Sequence, residues 1–392
     1  MKSPNNISPI SGFCYGCGVC GIVCPTEAIS IKENKQGFYS PVIDEQKCIH
    51  CGICLKTCAY SNRFDFKQEE ITAFSGYSNN RNIQNWCSSG GVAYELARNA
   101  ILNGMHVCNV KYDVATQRAL HYISNDIEAL APSVGSKYLP SQTSQAFLQL
   151  DFSKKNLIVG TPCQIASLRM LAKKKKVESN LILVDFFCHG VPSLLLWDKY
   201  ISEIPDYKNL KFISWRNKTD GWHDSWGINA DYCQRTCDLG NKEPIHKIHS
   251  QWTKGDMFYE FFLGNFCMNS CCYDNCPFKG TNSLADIRLG DFWGDKFSAN
   301  EYGVNAVLAY TDRGKRAIEG LSERCHFEEA SVYEILQAQM THSLKKPWIR
   351  HILLREFHTK KSLNQIFSRY ILTLYYGSLI PARLYNRIKK LL

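Results

Sequence analysis

Apolar residues between positions 70 and 190 fall into short runs that alternate with helical patterns. Ala73 to Tyr77 reads as a short strand, and Ser88-Ser89-Gly90-Gly91 then opens an amphipathic helix from about Val92 to Leu102 that Gly104 closes. A strand follows at His106 to Tyr112. Leu157-Ile158-Val159 is a further apolar run, broken at Gly160-Thr161-Pro162-Cys163 and followed by a helical pattern from Gln164 to Lys174. Leu181 to Phe187 is a buried-type strand that stops at Cys188-His189-Gly190. The alternation predicts an α/β domain with a mainly parallel sheet and ligand loops at the carboxyl ends of its strands.

Outside that stretch the pattern changes. Residues 61–70 are polar and read as a linker. In the tail, Leu363, Ile366, Phe367, Tyr370 and Leu374 recur at helical spacing. After Pro381 a second short helix sets Leu384, Ile388 and Leu391 on one face, flanked by Arg383, Arg387, Lys389 and Lys390. The apolar run Ile371 to Ile380 is about half of the roughly 20 residues that a membrane-spanning helix needs. Two readings stand for the tail: packing on the body or on a second protomer, or a basic amphipathic anchor making peripheral contact with an anionic membrane.

The cysteines carry an internal repeat. Cys14-x2-Cys17-x2-Cys20-x3-Cys24 recurs as Cys48-x2-Cys51-x2-Cys54-x3-Cys58, all four members displaced by 34 residues. Three thiolates at this spacing wrap one face of a cuboidal cluster, and in two-cluster ferredoxins the fourth cysteine of each run ligates the other cluster. The expected sets are Cys14, Cys17, Cys20 and Cys58 for one [4Fe-4S] cluster, and Cys48, Cys51, Cys54 and Cys24 for the other. Gly16, Gly18, Gly21 and Gly52 let the backbone approach the sulfurs. Pro25 follows the first run, and Ala59 takes that place in the second. Zinc would use two separated pairs rather than a triplet plus one. The fold expected is therefore an α+β ferredoxin-like module over residues 1–65, the α/β domain over 66–345 and a basic helical tail over 346–392.

Composition adds compartment and charge. Nineteen cysteines in a chain of 392 residues, without the apolar region of a signal peptide at the N-terminus, predict a reducing, cytoplasmic setting. The formal charge is +10, or about +6 once eight thiolates and two cluster cores are counted. A surface of that sign suits an acidic redox partner or an anionic cofactor. No basic helix interleaved with aromatics stands in the chain, which argues against nucleic acid.

Several loops have two readings each. The Ser88–Gly91 turn suits a dinucleotide phosphate or is an ordinary N-cap; no G-x-G-x-x-G motif supports a standard Rossmann site. Cys163 and Cys188 end two neighbouring strands, and Cys267, Cys271, Cys272 and Cys276 cluster before Pro277. With Cys272 and Cys276, the two strand-end thiols are either ligands of a third cluster or inert buried thiols. Trp215, Trp222, Trp226 and Trp293 line a planar-substrate pocket or pack in the core.

Ser89-Gly90-Gly91, Gly135-Ser136-Lys137-Tyr138, Gly160-Thr161-Pro162-Cys163-Gln164 and Cys188-His189-Gly190-Val191-Pro192-Ser193 are followed by three further motifs. These are Trp215-Arg216-Asn217-Lys218, Cys276-Pro277-Phe278-Lys279-Gly280 and Gly290-Asp291-Phe292-Trp293-Gly294. In this order they resemble the beta subunits of coenzyme F420-reducing hydrogenase and their relatives, over roughly residues 70–330. The chain departs from the family at Cys272-x3-Cys276, where two intervening residues are expected, and at Asn217, where an acidic residue is common.

The resemblance implies FAD held by Ser89, Gly90, Gly91, Ser136, Lys137, Thr161, Pro162 and Gln164, fed by iron–sulfur clusters. Relatives act on a deazaflavin or a pigment, or accompany polysaccharide synthesis. Lys137 would pair with a phosphate or polarise the flavin and His189 would serve as an acid near it; the bland alternatives are a surface lysine and a structural histidine. The expected protein is an iron–sulfur flavoprotein oxidoreductase. It exchanges electrons with a redox partner protein, either a ferredoxin or one of the subunits of a hydrogenase or dehydrogenase, and reduces or oxidises an organic two-electron partner. The rivals are a cluster-bearing scaffold and a non-catalytic electron-transfer subunit.

Overall fold

The structure, a computed structural model, describes residues 5–66, 70–204, 207, 210–231 and 247–379. Near the N-terminus β1 (Ile29–Glu33) pairs antiparallel with β2 (Tyr39–Ile43), between the two cysteine runs. Each run turns into a single helical turn, Val19–Ile22 or Ile53–Lys56, directly after a glycine with positive φ, 77° at Gly18 and 71° at Gly52. Those values belong to the region that glycine enters without steric cost. The 34-residue repeat in sequence is thus a repeat in local backbone.

The following strands are β3 (Thr72–Ser78), β4 (His106–Asp113), β5 (Arg118–Ser124), β6 (Ser141–Gln142), β7 (Asn156–Val159) and β8 (Leu181–Phe186). Next, β9 (Phe212–Arg216), β10 (Trp226–Asp231) and β11 (Lys247–Gln251) make a separate three-stranded antiparallel sheet. The last strands, β12 (Ile287–Asp291), β13 (Asn305–Ala309) and β14 (Cys325–Glu329), join the earlier six in a nine-stranded sheet ordered β14-β3-β13-β12-β8-β7-β4-β5-β6.

This sheet corrects the expectation of a mainly parallel one. Its centre, β12-β8-β7-β4, is parallel, but β5 returns antiparallel to β4, and β13, β3 and β14 continue antiparallel on the other side. An apolar run carries no direction of its own. Direction comes from the partner, and β3 meets its partner β13 only across more than half of the chain.

Two apolar layers cover the sheet because side chains alternate along each strand. Val107, Leu157 and Val184 face the Val92–Leu102 helix through Val92, Leu96 and Ala100. Their neighbours Cys108, Ile158 and Leu183 face the Pro162–Lys175 helix through Ile165, Leu168 and Leu171. Both helices lie close to the bounds that periodicity predicts. Thr161 and Gln164 close a reciprocal capping box at the start of the second.

Residues 61–66 are not a free linker. Phe64 and Phe66 lie with ring centroids 5.6 and 5.9 Å from that of Phe278. The N-terminal module is bonded to the body elsewhere too: Thr143 Oγ1 donates to Cys17 O at 3.0 Å, Asn269 Nδ2 to Cys14 O at 3.0 Å and Ser193 Oγ to Gln36 O at 2.6 Å.

The tail follows the packing reading as far as the structure describes it. Leu363, Ile366 and Ile371 are fully buried in the largest core, and the Phe367 ring meets Phe261 at 5.7 Å. Leu374 stays exposed. Leu384, Ile388, Leu391 and the basic residues beside them lie outside the described residues. Among the described residues no helix is long and apolar enough to cross a membrane.

Candidate iron–sulfur and cofactor sites

Thiols from the two halves of the repeat meet in the first set. Burial raises the pKa of the Cys14, Cys17 and Cys20 thiols, Cys17 to about 11, and neighbouring thiols add to the rise. For Cys14 those neighbours include Cys17 and Cys58, for Cys17 they include Cys58, and for Cys20 they include Cys17, Cys14 and Cys58. Cys58, from the second run, therefore sits with the first three. In the other set burial raises the Cys54 pKa, with Cys51 contributing. At Cys24 burial is outweighed by hydrogen bonds from Thr26, Ala28 and Ile29, and its pKa is lowered.

Donors are already aimed at several sulfurs. Gly16 N–H reaches Cys14 Sγ at 3.1 Å, Ala28 N–H reaches Cys24 Sγ at 3.3 Å and Asn6 Nδ2 reaches Cys48 Sγ at 3.5 Å. Thiols packed this closely resist joint ionisation unless positive charge lies between them, and N–H groups directed at sulfur suit thiolate ligands. The residues present fit a [4Fe-4S] cluster in each set. Glu45 and His50 also lie near Cys48, but they are exposed and Cys48 belongs to the repeat.

A further set of thiols converges at the carboxyl ends of the parallel strands. Cys163 starts the helix after β7, Cys188 follows β8, and Cys272 and Cys276 arrive on the loop before β12. Burial raises all of their resolved pKa values, Cys188 to about 11. Cys188 and Cys272 add to the shift at Cys163, and Cys276 adds to those at Cys188 and Cys272. The extra residue between Cys272 and Cys276 is taken up in a turn, with Asp274 at φ 55°. Buried Arg288 holds this loop by donating to Gly280 O at 2.7 Å and Asn282 O at 3.0 Å, and Lys279 Nζ donates to the carbonyls of Cys188 and His189.

Tyr15, next to Cys14, lies beside these thiols as well. Its hydroxyl pKa is raised by burial and then by Cys163, Cys276, Cys271 and Cys272. Cys271, Tyr15, Lys279 and Arg288 were not among the residues expected at this site. Cys271 had a sequence signal in its place in the cysteine cluster, and Lys279 had one in the Cys276–Gly280 motif.

The residues expected to hold a flavin fall in two internally bonded groups, the Ser88–Gly91 turn with Ser136, and Thr161 and Gln164 with Ser141. Ser89 Oγ donates to Val304 O at 2.9 Å, and Ser136 N–H donates to Ser88 Oγ at 2.8 Å. Gly90 is packed so that a Cβ would lie 2.6 Å from Gly76 O, while Gly91 has φ 90°. Val92 N–H is taken by Asn305 Oδ1 at 3.1 Å. Lys137 is not a surface lysine: its Nζ donates to the carbonyls of Pro132, Val134 and Gly135, each at 3.0 Å, and burial lowers its pKa to about 7. Pro162 occupies the first turn of its helix. Thr161 Oγ1 lies 3.2 Å from Cys163 Sγ, and Gln164 Nε2 donates to Ser141 Oγ at 3.1 Å. Thr161 and Gln164 also line a cleft with Tyr15, Phe38 and Asn269 where the module meets the body.

His189 packs 4.9 Å from the Phe262 ring, and burial followed by Lys279 lowers its pKa to about 4. At neutral pH the ring in that setting is uncharged: it keeps one N–H as a hydrogen-bond donor and lacks the more acidic imidazolium proton.

The Trp215–Lys218 motif brings two cations, Arg216 and Lys218, whose place in the site its sequence does not reveal. Lys218 Nζ donates to Gln84 O at 2.6 Å, Ser89 O at 2.8 Å and Tyr302 O, and burial lowers its pKa to about 8. Buried Arg216 pairs with Asp291 at 3.0 Å, reaches Ser88 O at 3.5 Å and stacks 4.5 Å from the Trp226 ring centre. Trp222 and Trp293 stack at 4.9 Å. Two ammonium groups and a guanidinium around a glycine-rich helix start match the charge of a diphosphate. The residues fit such a group in kind, with the chain's own carbonyls occupying the donors.

Residues 13–62 match the 4Fe-4S dicluster domain, and residues 153–334 match the family described as the C terminus of the coenzyme F420 hydrogenase/dehydrogenase beta subunit. One of the subunits of the F(420)H(2) dehydrogenase of Methanosarcina mazei is 25% identical over 315 residues, which cover 74% of this chain and 80% of that protein. An iron–sulfur subunit of the CoB–CoM heterodisulfide reductase of Methanocaldococcus jannaschii is 33% identical over 84 residues, 18% of this chain and 12% of that protein's length. A chain of the F420-reducing [NiFe] hydrogenase complex from Methanosarcina barkeri superposes with a TM-score of 0.47 and 15% identity, covering 68% of this chain and 84% of that one. The chain thus matches the C-terminal region of the coenzyme F420 hydrogenase/dehydrogenase beta-subunit family over residues 153–334, with a 4Fe-4S dicluster domain ahead of it.

Proposed function

We propose that the protein is an iron–sulfur flavoprotein oxidoreductase that moves electrons between a redox partner protein and an organic two-electron acceptor. Residues 1–65 would hold two [4Fe-4S] clusters, and residues 66–345 would hold FAD and a third cluster at Cys163, Cys188, Cys272 and Cys276. The observation that carries this reading is the contact of two sites: Thr161 Oγ1, in a loop expected to hold the flavin, lies 3.2 Å from Cys163 Sγ. When bound, clusters supply single-electron transfer and a flavin supplies the exchange between single electrons and hydride equivalents. The chain's own groups bind and orient. Lys218 and Arg216 neutralise a diphosphate at the Ser88–Gly91 turn, half-buried Trp293, backed by the buried Trp222, offers a planar ring a surface, and the aromatic cluster around Phe278 excludes water from the thiols. By analogy with the F420H2 dehydrogenase relative, a deazaflavin is the first acceptor to try.

Anaerobically purified protein should release FAD in about a one-to-one ratio on extraction. Lys218→Met and Gly91→Leu should each reduce flavin retention at unchanged iron content, the first by removing charge and the second by obstructing the backbone at φ 90°. Extraction that yields no flavin from folded, iron-replete protein refutes the flavoprotein reading. The carbonyl-bound state of Lys137 and Lys218 favours a second reading, an electron-transfer subunit without flavin, and the same extraction separates the two.

A further inference from the structure

Ser167 stands four residues after Cys163 on the Pro162–Lys175 helix, one turn along the same face, and is fully buried. A serine inside a helix usually bonds back to a carbonyl of its own helix. The contacts of the Ser167 hydroxyl run outward instead. Its Oγ accepts the Ala59 N–H at 3.1 Å and lies 3.3 Å from Cys17 Sγ. Cys17 belongs to the first cysteine run, and Ala59 directly follows Cys58 of the second. One hydroxyl on the body therefore touches both parts of the Cys14, Cys17, Cys20, Cys58 set.

The chemistry fixes the direction of these bonds when Cys17 is a thiolate. A Cys17 thiol donates to the hydroxyl oxygen, but a thiolate can only accept, so with Ala59 N–H on the oxygen the single hydroxyl proton is the one that bridges to the sulfur. The other set reaches solvent at one ligand: Cys51 is exposed, as is Ile49 two residues before it, at 64%.

We propose that Ser167 is a positioning residue that donates to Cys17 Sγ, holds up the reduction potential of the cluster at Cys14, Cys17, Cys20 and Cys58, and makes that cluster the inner member of the relay, next to Cys163. Cys24, Cys48, Cys51 and Cys54 then hold the outer cluster, reached by the partner protein. The inference rests on the cluster assignment above. Hydrogen bonds to cluster sulfurs are among the factors that set its potential, so losing this donor makes the inner cluster harder to reduce.

The test is an anaerobic redox titration of full-length protein followed by electron paramagnetic resonance, with iron counted in each sample, for wild type, Ser167→Ala and Ser167→Thr. In Ser167→Ala one module signal should move to a more negative midpoint while the other stays, and Ser167→Thr, which keeps the hydroxyl, should restore it. Iron lost from Ser167→Ala but kept in Ser167→Thr also supports the contact. Full iron with unmoved midpoints in Ser167→Ala overturns the proposal, as does an iron loss that both variants share. Fewer than about eight irons in the wild type would instead defeat the cluster assignment itself.

Discussion

Arg288→Met is expected to destabilise the protein by about 3–5 kcal/mol, because it leaves a buried carboxylate without its counter-charge. Arg288 and Asp185 both have fully buried side chains and form a two-pronged pair, Nε to Oδ1 at 2.7 Å and Nη2 to Oδ2 at 2.8 Å. Burial works against the Arg288 charge, and the Asp185 carboxylate overcomes that effect, so the pKa is raised. After the substitution Asp185 keeps the Ser283 hydroxyl at 2.6 Å, one neutral donor in place of a cation.

The same arginine binds the carbonyls of Gly280 and Asn282, so the loop carrying Cys276 and Lys279 should loosen with it. Denaturant unfolding measures the stability, and iron analysis should show loss at the C-terminal thiols before loss from the module. Replacing both partners, Asp185→Leu with Arg288→Met, should recover much of the stability, since an apolar pair carries no stranded charge. A single variant within about 1 kcal/mol of wild type would show that the pair does not hold the loop.

Cys17→Ala and Cys58→Ala should empty the same cluster, although the two cysteines lie in different runs. Each should lower the iron content by about four atoms, from about twelve if the C-terminal thiols hold a cluster and from about eight if they do not. Cys24→Ala and Cys51→Ala should empty the other cluster. The expectation follows from the place of Cys58 beside Cys14, Cys17 and Cys20. Electron paramagnetic resonance of the reduced variants distinguishes the pairs. If Cys58→Ala abolishes the signal that Cys51→Ala abolishes and spares the one lost in Cys17→Ala, each run ligates its own cluster and the crossed assignment is wrong. Cys272→Ala provides the control for the third site, where an unchanged iron count would mark those thiols as inert.

Local pattern was enough to read the elements and the iron–sulfur character of this protein. The Val92–Leu102 helix, β8 and the doubled cysteine run are short-range features: hydrophobic period, glycine position and ligand spacing are each complete within a few residues. The meeting of Cys163 and Cys188 was also legible, because thiols at the ends of neighbouring strands have little choice of where to meet; Cys272 and Cys276 reach them on a loop.

Tertiary structure decided what depends on partners distant in sequence. It set the antiparallel flanks of the sheet, since β3 finds β13 and β14 rather than a neighbour in the chain. It turned residues 61–66 from linker into packing, because Phe64 and Phe66 find a third ring in Phe278. Lys137 looked available in sequence, yet three carbonyls within five residues enclose its ammonium once the backbone turns there. Ser167 carried no signal at all, for a serine in an apolar helix shows its purpose only when another segment brings a sulfur to its hydroxyl.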